Sequence, residues 1–336
     1  MKSFWEKLNK PFFALAPMYD VTDAAFRAMF VKYSKTQKTK GAPELVLFTE
    51  FVSCDGLVSD EGRLKLLREL YYTEEERPIV AQIFGSQPEN VEKTAQLIKE
   101  LGFDGLDLNM GCPDKTIEKQ KSGAALIKDP VLAQEIIVAA KQGAGDLPVS
   151  VKTRLGYNEI DFSWLEKIID KKPAALTVHL RTRKEMSLSP AHWEIFPEIV
   201  SRIQKEEIII IGNGDVIDIK DGLEKAKYFG ADGIMIGRGA FGNPWLLINN
   251  HKRKLSLEDR LRVMLEHTEL FWNLYGPTKT NKKLFYGHQK NFAVMKKHFK
   301  AYVRGFVGAS FLREQLMGAK NPEEIKKILL KQKLIT

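Results

Sequence analysis

Short apolar, β-branched runs alternate with longer amphipathic stretches over the first 250 residues. The runs Phe12–Ala16, Leu45–Phe48, Ile79–Phe84, Gly105–Leu108, Val149–Lys152, Ala175–Val178, Ile208–Ile211 and Gly233–Ile236 predict eight strands. Helical spacing fills the gaps: Asp23–Tyr33, the region around Gly62–Leu70, Pro88–Leu101, Pro130–Lys141, Asp161–Lys171, His192–Ile203, Ile217–Phe229 and a shorter stretch after Pro244. Strands alternating with helices imply parallel βαβ units. Eight such units with apolar strands predict an α/β fold, a closed (β/α)8 TIM barrel, over an open doubly wound sheet. The open sheet would need a GxGxxG after its first strand, where Asp20-Val21-Thr22-Asp23 stands instead.

Beyond residue 255 or so the strand pattern stops. Leu257–Leu274, Phe292–Tyr302, Ala309–Met317 and Pro322–Lys331 read as amphipathic helices, the first two separated by Gly276-Pro277-Thr278. The expected organisation is a barrel domain over residues 1–250 and a small C-terminal all-helical domain over 251–336.

Charge sharpens that division. The 336-residue chain has a net charge of +9. Residues 251–336 carry 19 basic and 7 acidic residues, a net of +12, whereas residues 1–250 are slightly acidic, at −3. A basic segment of this kind suggests a polyanionic partner; a solubilising lysine-rich surface is the alternative. Lys32–Lys40, with four lysines in nine residues, reads as a solvated loop. Two cysteines, Cys54 and Cys112, are too few for a disulfide framework or a structural zinc site. No apolar run is long enough to span a membrane, and the N-terminus lacks a secretory signal pattern. A cytoplasmic, metal-free protein without membrane contact is expected, as a monomer.

Active sites of such barrels form at the C-terminal strand ends. There the sequence places Pro17-Met18, Glu50, Gln82, Asn109 with Cys112, Lys152 with Arg154, His179, Asn213-Gly214-Asp215 and Gly237-Arg238. One polar residue ending a strand is commonly a cap or turn former; so many together suggest one shared mouth. Gly212-Asn213-Gly214-Asp215 and Gly237-Arg238-Gly239, after the seventh and eighth strands, suit a phosphate site, because glycine lets backbone N–H groups approach an anion. Tight turns are the plainer reading. For Cys54 a buried small hydrophobe is the preferred reading. The aromatics Phe271, Trp272, Tyr275, Phe292, Phe299 and Tyr302 read as helical core rather than base-stacking platforms.

Taken in order, Ala16-Pro17-Met18, Gln82-Ile83-Phe84-Gly85, Asn109-Met110-Gly111-Cys112-Pro113, Lys152-Thr153-Arg154, His179 with Arg181-Thr182-Arg183, Asn213-Gly214-Asp215 and Gly237-Arg238 resemble the tRNA-dihydrouridine synthase family. Met295-Lys296-Lys297-His298 followed by Arg304-Gly305 is similar to its C-terminal helical domain. The chain departs from the family at Leu180, at Ser187-Leu188-Ser189 and in the Lys32–Lys40 stretch.

The resemblance implies an oxidoreductase that reduces uridine in tRNA to 5,6-dihydrouridine, with FMN in the barrel mouth and NADPH as reductant. Pro17, Met18 and Tyr19 would lie by the flavin ring, and Gln82 and Lys152 at its polar edge, where a cation stabilises the reduced anion. His179, Asn213, Gly214, Asp215, Gly237 and Arg238 would hold the ribityl phosphate end. Asn109, Arg154, Arg181 and Arg183 would face substrate. Cys112 would be the general acid, giving a proton to uracil C5 as hydride from reduced FMN reaches C6. A thiol with its ordinary pKa of ~8.5 is protonated at neutral pH. Two other readings stay open: an FMN barrel acting on a free small molecule (like dihydroorotate dehydrogenase or an ene reductase), and a non-catalytic RNA-binding barrel. The basic tail speaks against the first. The complete set of site residues speaks against the second.

Overall fold

All eight apolar runs form strands in the computed structural model, which describes residues 3–35, 43–203, 207–247 and 256–335. They are β1 (Phe12–Leu15), β2 (Leu45–Ser53), β3 (Ile79–Phe84), β4 (Gly105–Met110), β5 (Val149–Arg154), β6 (Ala175–His179), β7 (Ile209–Asn213) and β8 (Gly233–Ile236). Each pairs in parallel with the next, and β1 pairs with β8, so the sheet closes on itself. This is the (β/α)8 barrel that the alternation predicts.

Several strands outrun their apolar cores. β4, β5, β6 and β7 extend one or two residues into the polar cluster, so that Asn109, Arg154, His179 and Asn213 sit on strand backbone rather than in loops. The ladder needs only main-chain groups, and a polar side chain at the open end of a barrel meets no apolar neighbour that excludes it. β2 is the largest departure. Thr49 and Glu50 break its apolar run, yet the strand continues to Ser53 through a register shift between Phe48 and Phe51.

Aspartates start the intervening helices. Asp129, Asp161 and Asp218 each accept a bond from a first-turn amide, opening Pro130–Ala144, Phe162–Ile169 and Ile219–Phe229. Glycine is demanded where the layers touch most closely. A Cβ on Gly212 would stand 2.5 Å from the Trp193 ring.

The barrel's N-terminal end is closed by the short helix Phe4–Lys7. Trp5, fully buried, lies against Phe12 and Phe48, with ring centroids 5.8 and 6.3 Å away, and packs with Ala14, Val46, Val80, Ala175, Ile209, Ile211 and Met235. Trp5→Ala is expected to destabilise the protein by ~3–5 kcal/mol, because the barrel cannot collapse into so large a void. Urea unfolding monitored by circular dichroism would measure it, and a loss below ~1 kcal/mol would mean that Trp5 plugs nothing.

Residues Met1–Met18 with Pro43–Gly239 form one compact unit, and Tyr19–Ala42 with Ala240–Thr336 form the other. The boundary read from the sequence, 250/251, therefore differs from this division, chiefly because the chain between β1 and β2 joins the second unit. The helix Ala24–Phe30 shows why. Six of its seven residues are buried, so it has no polar face to turn outward as a crossover helix would. Within its own unit Phe26 meets Phe241, His267 and His298 at centroid distances of 6.3, 5.8 and 5.3 Å.

The rest of that unit is helical: Leu257–Tyr275, Lys279–Phe285, Met295–Tyr302, Ala309–Gly318 and Pro322–Lys331. Phe271, Tyr275, Phe299 and Tyr302 are fully buried there, with Trp272 and Phe292 partly so, as expected of core. Val31–Lys35 ends the Ala24–Phe30 helix with a π turn; Lys38 and Lys40 of the lysine-rich stretch lie outside the described residues, as does the chain from 248 to 255 after Pro244. Among the described residues no helix is long and apolar enough to cross a membrane.

Candidate active site

Three adjacent strands build the first half of the site. Gln82 on β3 stands opposite Asp107 on β4, Asp107 opposite Ser150 on β5, and Asn109 opposite Lys152. Side chains two apart on a strand share a face, so Asp107 and Asn109 form two successive layers. Asp107 is fully buried; its Oδ1 accepts from Ser150 Oγ (2.6 Å) and its Oδ2 from Gln82 Nε2 (2.6 Å). Gln82 Oε1 then accepts from Asn109 Nδ2 (3.1 Å). Burial raises the Asp107 carboxyl to about 6, against the Ser150 and Gln82 bonds and the Lys152 charge, which pull it down. Lys152 is held down to about 8, first by burial and then by the Arg154 charge. No side chain among the described residues hydrogen-bonds its ammonium.

The loop after β4 carries Cys112. Asn109 Oδ1 accepts from the backbone N–H groups of Gly111 (3.2 Å) and Cys112 (3.0 Å), folding the loop back over the strand end. The 3-10 turn Gly123–Lys128 supports it from behind, with Ala124 N–H donating to the Cys112 carbonyl (2.9 Å). Gly123 has φ +61°, and a Cβ there would lie 2.8 Å from that same carbonyl, so only glycine fits. Cys112 is partly exposed and unpaired. Burial raises its thiol above the ordinary value; a backbone bond from Asp114 and the Lys152 and Arg154 charges oppose this without reversing it. The site does not depress the thiol, as a nucleophilic cysteine site would.

The other half of the mouth is basic. Arg154 stands opposite His179, and His179 opposite Asn213. Burial, first, and then the charges of Arg154, Lys152, Arg181 and Arg238 hold His179 well below its ordinary pKa. Its Nε2 faces Arg181 Nη1 at 3.3 Å, and a guanidinium only donates, so Nε2 is the unprotonated nitrogen and the imidazole is neutral. Asp215, with φ +47°, joins two arginines: it pairs with Arg181 Nη2 and with Arg238 Nη2 (2.8 Å), and accepts from Ala191 N–H (2.9 Å). Asn213 Nδ2 donates to the Met235 carbonyl (2.8 Å). A Cβ on Gly237 would meet nothing closer than Met18 Sδ at 3.6 Å, so the protein's own packing does not require glycine there.

Three arginines expected to face substrate are engaged by the protein itself. Arg154 Nε donates to the Gly111 carbonyl (2.8 Å), and its Nη1 to the carbonyls of Thr182 and Met186 (3.0 Å each). Arg181, almost fully buried, also donates to the Ser189 carbonyl (2.6 Å). Arg183 makes a two-pronged pair with Glu118 (2.8 and 2.5 Å). Basic residues after strands signal an anion site in sequence, but the partners of Arg154 and Arg183 lie 28 to 65 residues away, where no local pattern reveals them. Pro17 is buried and Met18 half-buried against the barrel core, whereas Tyr19 is 61% exposed and belongs to the second unit.

Sequence reasoning passed over Asp107, Ser150 and the pair Glu185–His192 (2.7 Å). Asp107 was legible in principle, as a charge inside an apolar run. Among the described residues no three His, Cys, Asp or Glu side chains gather as a metal site.

Comparison with known proteins identifies the family. Residues 14–336 match the family model described as dihydrouridine synthase (Dus). The chain is 42% identical over 336 residues to the "Probable tRNA-dihydrouridine synthase 2" of Bacillus subtilis (strain 168), covering 98% of this chain and 96% of that one. It is 40% identical over 333 residues to the "Probable tRNA-dihydrouridine synthase" of Staphylococcus aureus (strain MRSA252), covering 98% and 95%. With a match over nearly its whole length and a cysteine loop pinned at the mouth of an eight-stranded barrel, this chain belongs to the dihydrouridine synthase family.

Proposed function

We propose that this protein reduces uridine in tRNA to 5,6-dihydrouridine, with FMN bound in the barrel mouth and NADPH as the electron source. One observation carries the reading: a thiol kept protonated, on a loop pinned by Asn109, in the electrostatic reach of Lys152. A protonated, partly exposed thiol is an acid waiting for a carbanion-like carbon, not a nucleophile.

The residues present suit the flavin. Lys152 offers an ammonium that no side chain among the described residues hydrogen-bonds, Gly237 leaves room where a side chain would intrude, and the charges around His179 favour a phosphate. Pro17 and Met18 would pack on the ring, and Gln82 and Lys152 would bond its polar edge. His179, Asn213, Gly214, Gly237 and Arg238 would hold the phosphate end. Asp215 acts there by orienting Arg181 and Arg238, since a carboxylate repels phosphate. Tyr19, exposed and part of the second unit, does not belong to this flavin set. When bound, the flavin supplies the hydride for uracil C6.

Cys112 holds the proton for C5. Asn109 keeps the Cys112 loop in place beside the base. Arg154, Arg181 and Arg183 fix the loop walls of the mouth rather than touching substrate. A stacked uridine must leave its helix to enter this space. The excess positive charge of residues 251–336 supports contact with the RNA backbone, in the cytoplasm where tRNA resides.

Purified protein mixed with FMN, NADPH and unmodified tRNA is expected to produce nucleosides two hydrogen atoms heavier than uridine, read by mass spectrometry. Its tRNA affinity is expected to fall by ~10³-fold or more between 50 and 200 mM salt if six or more phosphates are neutralised. Absence of the heavier nucleoside with a flavin-loaded protein would overturn the reaction. A flat salt response would overturn the role of the basic segment.

A further inference from the structure

A charged side chain lies buried at the floor of the site. Asp107 is fully buried, and burying a carboxylate is costly even with two hydrogen bonds. Asparagine fills the same volume without that cost, but it could accept at only one of the two positions where Ser150 and Gln82 donate. What asparagine cannot do is accept only. An ionised carboxylate has no donor, so whatever faces it must donate.

That one-way property propagates. Asp107 Oδ2 takes a proton donor from Gln82, so the Gln82 amide must present Nε2 to β4 and turn Oε1 upward. Oε1 accepts only, so Asn109 must present Nδ2 to it. Asn109 Oδ1 is thereby turned to the loop, where it accepts from the N–H groups of Gly111 and Cys112. Reverse Asn109 and its NH2 group would face two backbone N–H groups; reverse Gln82 and its oxygen would face the carboxylate while its NH2 group faced that of Asn109. Side-chain amides have no intrinsic preference between the two orientations; the acceptor-only carboxylate at one end and the donor-only backbone N–H groups at the other select the same one.

We propose that Asp107 is a positioning residue, which sets the orientation of the Gln82 and Asn109 amides and through them holds the loop that carries Cys112. It rests on the uridine-reduction reading only for what Cys112 then does. Asp107 itself touches neither Cys112 nor substrate; its reach is three hydrogen bonds long. Ser150 has a different part: it satisfies the second carboxylate oxygen and constrains neither amide.

The test is backbone amide exchange in the full-length protein, read residue by residue by NMR. In Asp107→Asn, exchange at Gly111 and Cys112 is expected to accelerate about tenfold or more, the equivalent of losing one hydrogen bond, with β7 and β8 amides unchanged. Ser150→Ala is expected to keep Gly111 and Cys112 slow. Unchanged exchange at these two amides in a folded Asp107→Asn protein would overturn the proposal, as would equal acceleration throughout β4, β5 and β7. If Asp107→Asn does not fold, Ser150→Ala decides alone: fast exchange at Gly111 and Cys112 would show that packing, not amide orientation, holds the loop.

A kinetic readout follows the same logic. Dihydrouridine formation at saturating tRNA is expected to fall about tenfold in Asp107→Asn. The exchange measurement uses no substrate. A wild-type protein that makes no dihydrouridine would sink the functional reading, while exchange would still decide the role of Asp107.

Discussion

Cys112→Ala is expected to lower dihydrouridine formation by ~10²–10⁴-fold while leaving fold, flavin content and NADPH oxidation near wild type. The two half-reactions make different demands. Moving electrons from nicotinamide to flavin requires no acid from the protein. Saturating the C5=C6 bond of uracil does, because hydride arrival at C6 leaves C5 with an electron pair to protonate. Water has poor access to a base seated in the mouth, so a positioned thiol has little competition. Cys112→Ser is expected to be nearly as poor, since a hydroxyl is a much weaker acid. Cys54→Ala is the control. That thiol is fully buried, its Sγ 3.2 Å from a Cβ built on Gly85, and burial pushes it up to about 12, so it does no chemistry at neutral pH. Single-turnover assays with pre-reduced enzyme would separate the steps. A normal rate in Cys112→Ala would reduce the loop to a structural feature.

Lys152→Met should lower the midpoint potential of the bound flavin by ~30–65 mV. A hydrogen bond to a charged group is worth ~1.5–3 kcal/mol, and ~30 mV corresponds to ~1.4 kcal/mol for a two-electron couple. Among the described residues the ammonium has no hydrogen-bond partner to lose, so its removal falls largely on the anion beside it, apart from its charge interaction with Asp107. The pH dependence has a definite sign. Well below about 8 Lys152 is charged whether or not the flavin is reduced, so reduction moves no proton on or off it. Above that pH the oxidised form leaves it increasingly neutral, and the negative charge gained on reduction draws a proton back. The wild-type potential should then fall with pH ~30 mV per unit more steeply than that of Lys152→Met. Spectroelectrochemical titration across this range would show it. Parallel slopes in the two proteins would remove Lys152 from the flavin edge.

The barrel was legible because its signal is repeated: eight apolar runs, each of strand length, separated by helix-length amphipathic stretches. Runs such as Ile79–Phe84 needed no correction, since apolar character and ladder coincide there. Where they part company, as at Thr49-Glu50, pattern alone ends the strand too early. The cysteine loop was legible because Asn109, Gly111, Cys112 and Gly123 lie within fifteen residues, and their contacts are local. The arginines were not. Arg183 reaches Glu118, 65 residues back, and Arg154 is held by carbonyls 28 and 32 residues on. Sequence supplies the residue type, but whether a guanidinium is left for a ligand depends on partners that only folding brings near. Ala24–Phe30 belongs to the same class: its apolar character, broken only by Arg27, is visible, but not which distant helices cover it.

The membership of Tyr19–Ala42 in the second unit has a temporal side. A ribosome releases this segment about 200 residues ahead of Ala240, where its partners begin, which at ~5–20 residues per second is an interval of ~10–40 s. Throughout it, Phe26, Met29 and Phe30, all destined for a core, have none of their later neighbours to cover them. The nascent chain thus carries an adhesive stretch near its own beginning during most of its synthesis. Chaperone demand during translation should depend more on these few side chains than on the barrel itself, and polar replacements there should raise soluble nascent chain while weakening the finished molecule.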